Sequence, residues 1–346
     1  MQRKANVCPV VQKIWDLYSP PSPTSAITRP SLAEAKLPRI STTRLAAASS
    51  GDKNSGAETV LYLAYGSNLS AETFKGKRGI KPLSAVNVHV PSLDLTFDLA
   101  GIPYTEPCFA NTQYRRTKPA ASIPQPTDYH KTRWHKGLVG VVYEVTPEDY
   151  RIIIATEGGG ASYQDVVVQC YVLPDGSKSV DPVPNGVPFL AHTLLCPLDG
   201  SDTNRISRPD PNYAQASARY LKLITDGAEE HDLPADYMAY LYDLRPYTLT
   251  SARQRMGQLL VMTLLFPIVM VIFGLGKMFA DKDGKIPEWL AQLMGKLFSI
   301  TWKAYDVVLK DAFGDGERTV KEKEKDGDED GFLEKKWDEK KMLHLA

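Results

Sequence analysis

The sequence predicts an α+β fold in which strands outnumber helices, with a long apolar helix added toward the C-terminus. Three observations carry this. Segments of strand character, led by Val60–Tyr65 and Gly137–Val145, are spread through the middle of the chain. Helix signals do not alternate strictly with them, which disfavours a doubly wound parallel sheet. Met256 to Gly276 is a run of 21 residues without a charge, a length that matches the roughly 20 residues needed to span bilayer hydrocarbon.

Residues 1–58 are rich in Pro, Ser, Thr and Ala, with weak apolar periodicity, and read as a disordered lead-in. Met1-Gln-Arg-Lys is basic, but no continuous apolar core follows, so a secretory signal is disfavoured; a transit peptide stays open. Structure is expected from Thr59. Val60–Tyr65 is a buried strand ended by the turn residues Gly66-Ser67-Asn68. Ala85–Val90 and Leu93–Leu99 alternate as half-buried strands do. A basic, Pro-containing loop covers 113–136, then comes the apolar strand Gly137–Val145. Thr146-Pro147-Glu148-Asp149 starts a helix, with a cap candidate, Pro in the first turn and acids behind it. That helix should end near Gly158-Gly159-Gly160. Strands follow at Tyr163–Val172 and Pro188–Leu195, and helices at Asn212–Thr225 and Pro234–Leu244.

The apolar run 256–276 is flanked by Arg253, Arg255 and Lys277, and its Pro267 is tolerated better in a transmembrane helix than in a soluble one. A bilayer span and a buried core helix both fit it. Residues 286–313 are expected to form an amphipathic helix with Lys296, Lys303 and Lys310 on one face and Trp289, Leu293, Leu297, Ala304 and Val308 largely on another, with Trp302 and Tyr305 nearby. Such a helix suits a membrane interface, or packing onto the preceding domain or a partner helix. Residues 314–346 interleave acids and lysines and read as a charged, disordered tail.

Composition narrows the function classes. With 41 Lys+Arg against 41 Asp+Glu, the chain lacks the basic excess of a general nucleic-acid binder. Cys8, Cys108, Cys170 and Cys196 form no CxxC pair, which removes zinc-ribbon and thioredoxin motifs and favours a reducing compartment. The six histidines form no ligand-spaced cluster, and no HExxH, GxSxG or GxxxxGKS is present. Metal hydrolysis, a serine triad and a P-loop are therefore unsupported.

Two segments stand out. A strand that ends in Gly66-Ser67-Asn68 presents backbone N–H groups at a turn, and such concavities bind anions; an ordinary turn has the same composition. Glu157 sits between the apolar Ile152-Ile153-Ile154 and three glycines. Partial burial there would raise its pKa toward a value useful in proton transfer, whereas an exposed helix-end carboxylate would do nothing.

Together these segments resemble the γ-glutamylcyclotransferase family. Tyr62-Leu63-Ala64-Tyr65-Gly66-Ser67-Asn68-Leu69 resembles its YxAYGSNL loop, and Phe109-Ala110-Asn111 its FAN element. Gly137–Tyr143 resembles the strand before its helix, and Glu157-Gly158 with Tyr163 its EG…Y segment. Ser217-Ala218-Arg219-Tyr220, Gly227-Ala228 and Leu233-Pro234-Ala235-Asp236-Tyr237 resemble its SxxY…GA…LPxxY stretch. The resemblance runs in order across roughly 59–245 and departs from compact members at the glycine run and the 113–136 loop. It implies a mixed sheet or small barrel with flanking helices over 59–250. It also implies cyclisation of a γ-glutamyl amine or peptide to 5-oxoproline, with Glu157 as general acid/base. Tyr62, Leu63, Ala64, Tyr65, Gly66, Ser67, Asn68 and Tyr220 would hold the small-molecule substrate. No metal or cofactor is implied. Fungal relatives in epipolythiodioxopiperazine pathways act on glutathione-derived conjugates, so glutathione-type substrates stay open beside simple γ-glutamyl amines, as does a non-catalytic, membrane-anchored binding module. The catalytic domain is expected in the cytoplasm, attached to a membrane through 256–276; the sequence does not reveal the oligomeric state.

Overall fold

The computed structural model describes residues 37–49, 58–115, 131, 133–156, 163–196, 208–210, 212–279 and 287–320. Five strands close into a small barrel: β1 (Val60–Ala64), β5 (Leu138–Val145), β2 (Ser84–Val90), β6 (Gln164–Val172) and β7 (Phe189–Leu195), in that spatial order. All pairs are antiparallel except the closing contact between β7 and β1, at Tyr62 and His192. Closure removes free sheet edges. β5 is Val-rich and buried along nearly its whole length, while β6 exposes Gln164, Asp165, Val167 and Gln169 and turns Val168 and Cys170 inward.

β3 (Leu93–Ile102) and β4 (Glu106–Tyr114) form a separate two-stranded ribbon. A register shift between Thr96 and Leu99 bulges β3, and the buried Asp98 lies inside it. The Asn111 side-chain amide donates to Asp98 (2.9 Å) and to the Cys196 carbonyl (2.9 Å), while the Cys196 N–H donates back to Asn111 Oδ1 (3.0 Å). The ribbon is thereby pinned to the end of β7.

The helices are α1 (Thr42–Ser49), α2 (Pro147–Thr156), α3 (Ala218–Glu230), α4 (Ala235–Asp243), α5 (Ala252–Phe279), α6 (Glu288–Ala304) and the single-turn α7 (Lys310–Phe313). Several differ from expectation. The lead-in contains an ordered piece: Ile40 is buried, Arg39 bridges to Ala85, and Arg44 in α1 donates to Thr59 Oγ1 (3.1 Å) and to its carbonyl (2.9 Å). The helix expected at Asn212–Thr225 starts later, at Ala218. The stretch before it is held extended, with the Gln215 N–H donating to the Glu317 carbonyl (2.8 Å) and the Tyr247 N–H to the Ala216 carbonyl (2.8 Å). Strand β4 was not anticipated, since it is buried on both faces and shows no alternation.

α5 is long and apolar enough to cross a membrane by length and composition, with 33% of its most apolar window buried; a soluble core helix would be mostly covered. α6 packs through a row one residue on from the apolar face read in the sequence, a row that takes in Trp302 and Tyr305, with Leu297 partly buried against it. Leu290, Met294, Phe298, Trp302 and Tyr305 pack with Val261, Met262, Leu265, Val269 and Ile272 of α5, whereas Trp289, Leu293 and Val308 are exposed. The packed row 290/294/298/302 lies one residue on from 289/293/297, a rotation of near 100°. The tail expected from residue 314 is packed over its first residues. Gly316 accepts the Tyr104 N–H (2.8 Å), and the buried Glu317 binds Arg208 (2.9 Å).

Candidate active site

β1 delivers the chain to its turn through buried residues. The Leu63 carbonyl accepts the Thr193 hydroxyl (3.1 Å), and the Tyr65 hydroxyl donates to the Leu194 carbonyl (2.7 Å). Ala64 is buried where β1 ends. Ser67–Leu69 then make one turn of 3₁₀ helix. The Leu69 N–H closes on the Gly66 carbonyl (3.0 Å) and the Ser70 N–H on that of Ser67 (3.3 Å). The N–H groups of Gly66 and Ser67 precede these bonds and lie outside the turn's own ladder. Asn68 turns its side chain back: its amide donates to the Tyr62 hydroxyl (2.8 Å), and the Tyr62 ring packs on Phe74 and Tyr150. Asn68 and Tyr62 thus brace the turn.

α3 seats on the back of this turn. A side chain at Gly227 would stand 2.3 Å from the Leu69 carbonyl carbon and from Ser70 N, so only glycine allows this approach. Glu230 at the helix's end accepts the Ala71 N–H (2.7 Å). At its start, Ser217 caps the helix by accepting the Tyr220 N–H (3.0 Å). Tyr220 is buried and stacks edge-on against Phe109. Its hydroxyl accepts the Ala110 N–H at 3.3 Å. A methyl at Gly66 would be 3.5 Å from both that hydroxyl and Ala110 Cβ. Gly66 of the turn, Ala110 of β4 and Tyr220 of α3 therefore meet at one place.

Behind Tyr220 lies a group the sequence reading missed. Glu106, fully buried at the start of β4, accepts the Ser217 N–H (3.2 Å) and the Arg219 guanidinium (2.9 Å). Burial raises its pKa and Arg219 opposes the rise. Glu106 stands before Pro107, in a stretch without strand alternation, so no sequence signal marked it. Lys131, from the basic loop, is another: it is buried, its ammonium donates to the Phe97 carbonyl (3.0 Å), and burial lowers its pKa. Cys108 nearby is pushed up to about 12 by burial, which keeps it a thiol. Among the described residues, no group of His, Cys, Asp or Glu could hold a metal ion.

Glu157 lies outside the described residues. The chain is described up to Thr156, the last residue of α2, whose hydroxyl accepts from Arg78 (2.6 Å) just beyond the turn region. Tyr163 is partly buried and packs against the main core.

The first strand of the barrel thus ends in a braced turn beside a buried tyrosine from α3. The protein named gamma-glutamyl cyclotransferase gliK in Aspergillus fumigatus is 33% identical over 260 residues, covering 75% of this chain and 89% of its own. That named gamma-glutamyl cyclotransferase aclK in Aspergillus oryzae is 31% identical over 265 residues, covering 75% and 90%. No family model matches the chain. A solved gamma-glutamyl cyclotransferase structure aligns with a TM-score of 0.38 at 20% identity, over 56% of this chain and 92% of its own. On the strength of the two sequence relatives, the chain belongs to the γ-glutamyl cyclotransferase family.

Proposed function

We propose that this protein cyclises a γ-glutamyl amine or peptide, releasing 5-oxoproline and the free amine. The observation that carries the reading is the meeting of three separate segments at Gly66, with Tyr220 and Ala110 each 3.5 Å from where its side chain would begin. A small substrate group held against these segments would be folded back on itself, which is what the reaction needs.

The substrate's α-amine attacks its own γ-carbonyl. The new C–N bond closes a five-membered lactam, and the bond between the γ-carbon and the departing nitrogen breaks. Backbone N–H groups of Tyr65, Gly66, Ser67 and Asn68 hold the γ-glutamyl group, Tyr62, Leu63 and Ala64 support them from β1, and Tyr220 closes the wall. Glu157 takes a proton from the α-ammonium and returns one to the departing nitrogen, and the proton shed as the ring nitrogen becomes a lactam N–H leaves with the amine. No protein nucleophile takes part. A carboxyl in this role works best with its pKa lifted toward the working pH.

Glu157→Gln keeps shape and removes the base. Release of 5-oxoproline should fall by roughly 100-fold or more, and near-wild-type release would overturn the reading. A panel of γ-glutamyl amines, glutathione and glutathione conjugates identifies the substrate class, and no turnover on any member would favour a binding module of the same fold. The catalytic domain is cytoplasmic in this proposal and is held at a membrane by α5, the apolar helix.

A further inference from the structure

Glu106 is a fully buried carboxyl that the proposed reaction does not use. It opens β4, and Ala110, the residue that β4 brings to the site, lies four positions further along the same strand. At about 3.3 Å per residue, the two stand about 13 Å apart. β4 and α3 are joined at both places. At Ala110 the backbone N–H donates to the Tyr220 hydroxyl (3.3 Å). At Glu106 one carboxyl oxygen accepts the Ser217 N–H (3.2 Å) and the other accepts the Arg219 guanidinium (2.9 Å). A single tie would leave a hinge, whereas two ties also fix the angle between strand and helix.

The strand side of this join is rigid. A side chain at Gly101 of β3 would stand 2.1 Å from the Glu106 carbonyl oxygen, so β3 is packed hard against the backbone there. Every residue from Glu106 to Thr112 is buried. On the helix side, the Tyr247 N–H holds the Ala216 carbonyl (2.8 Å), and Ser217 caps α3 through its own hydroxyl. The helix can therefore form and dock without Glu106. What Glu106 adds is a grip on its first turn from the β4 side.

Two donors on two oxygens call for a carboxylate. A glutamine has one acceptor oxygen, and its NH2 group would face the second donor. The charge is also costly where it sits. Burial raises the pKa of the carboxyl against the opposition of Arg219, so the folded protein disfavours the ionised form, and a neutral side chain of similar volume would cost less. Arg219 is 33% exposed, so removing the carboxylate does not strand a fully buried cation.

We infer that Glu106 is a positioning residue for the γ-glutamyl site: by gripping Ser217 and Arg219 from β4, it sets the tilt of the first turn of α3 and with it the distance of the Tyr220 hydroxyl from Gly66. The effect on turnover rests on the cyclisation proposed above; the effect on Tyr220 does not.

The test is Glu106→Gln in the full-length protein. The Ala110 amide, whose acceptor is the Tyr220 hydroxyl, should exchange with solvent roughly tenfold faster, with Tm within about 4 °C of wild type. Release of 5-oxoproline should fall roughly 10- to 100-fold in kcat, with a smaller change in KM. Glu106→Asp, which keeps both acceptor oxygens, should recover part of that loss. In a Tyr220→Phe background the same Glu106→Gln change should cost less than about twofold, because the hydroxyl it places is gone. Wild-type exchange at Ala110 in Glu106→Gln would overturn the role, as would losses that multiply in full with those of Tyr220→Phe. A large fall in Tm with faster exchange throughout α3 would make Glu106 a support of the fold and overturn it equally. If the wild-type protein releases no 5-oxoproline from any member of the substrate panel, the proposed reaction fails, and exchange at Ala110 still decides whether Glu106 places Tyr220.

Discussion

Gly66→Ala separates the proposed site from the fold that carries it. The added methyl would lie 3.5 Å from Ala110 Cβ and 3.5 Å from the Tyr220 hydroxyl, both ordinary contact distances. The backbone there, at φ −114° and ψ −139°, is not left-handed but lies outside the main β and α regions. The entropy that alanine removes from the unfolded chain, about 0.4–1 kcal/mol, is therefore offset in the folded state. Stability should stay within about 1 kcal/mol of wild type. The methyl nevertheless occupies the space between the turn and Tyr220, where the γ-glutamyl group is proposed to sit. Displacing a reacting group by on the order of 1 Å lowers the rate by about 100-fold, or about 2.7 kcal/mol of barrier. The assay is 5-oxoproline release at substrate well below KM, run beside a thermal melt of the same preparation. An intact melt with kcat/KM within about threefold of wild type would refute the placement of substrate against Gly66.

Other expectations follow from the supports of this turn. Gly227→Ala sets a methyl 2.3 Å from the backbone of Leu69 and Ser70, so α3 must lift off the turn at about 1–3 kcal/mol; a lower Tm with a raised KM should result, and an unchanged Tm would show that the helix is not seated there. Arg219→Ala leaves Glu106 buried without its cation, and the already raised pKa of that carboxyl rises further. A carboxyl with a raised folded-state pKa contributes stability that is present below its ordinary 4.5 and is lost as pH rises through the folded value. The variant should consequently be weaker at pH near 8 than near 5 by more than wild type, as read from urea midpoints, and equal differences at the two pH values would argue against the buried pair.

The barrel strands were legible because their side chains obey simple patterns. Val60–Tyr65 and Gly137–Val145 are apolar and bounded by turns, and they became β1 and β5, the pair at the heart of the barrel. The ribbon was half legible. β3 alternates over its first residues, but β4 is buried on both faces and carries Glu106, Pro107 and Asn111, residues that read as loop until their partners Arg219, Ser217 and Cys196 are known. Those partners lie some 85 to 113 positions away, beyond the reach of any local pattern. α6 shows the same limit. Two adjacent rows of its surface are apolar, and only the shape of α5 decides that Phe298 and Trp302 turn inward while Trp289 and Leu293 do not. Of the candidate site, the turn at Gly66 lies beside Tyr220, with Asn68 and Tyr62 serving as braces.

The β3–β4 ribbon ties these parts into one unit, which bears on where the catalytic portion ends. A two-stranded ribbon is marginal by itself. Here one end is fixed to β7 through Asn111, next to Ala110 of the site, and the other to the C-terminal helices through Gly101 and Tyr104. Tyr104 adopts a left-handed conformation, φ 63°, which is unfavourable for a bulky residue unless its surroundings enforce it. Hydrogen bonds to Leu309, Gly314 and Gly316 do so. Ending the chain at residue 250 would remove these partners, uncover Ile102 and Tyr104, and leave Arg208 without both carboxylates. Each large apolar side chain exposed costs about 1.5–3 kcal/mol, a sizeable share of the stability of any domain. The truncated protein should melt lower and lose turnover together, because the strand that loosens also carries Ala110. A truncated protein with the wild-type Tm and kcat/KM would show that residues 59–250 stand alone and that the C-terminal helices contribute nothing to the site.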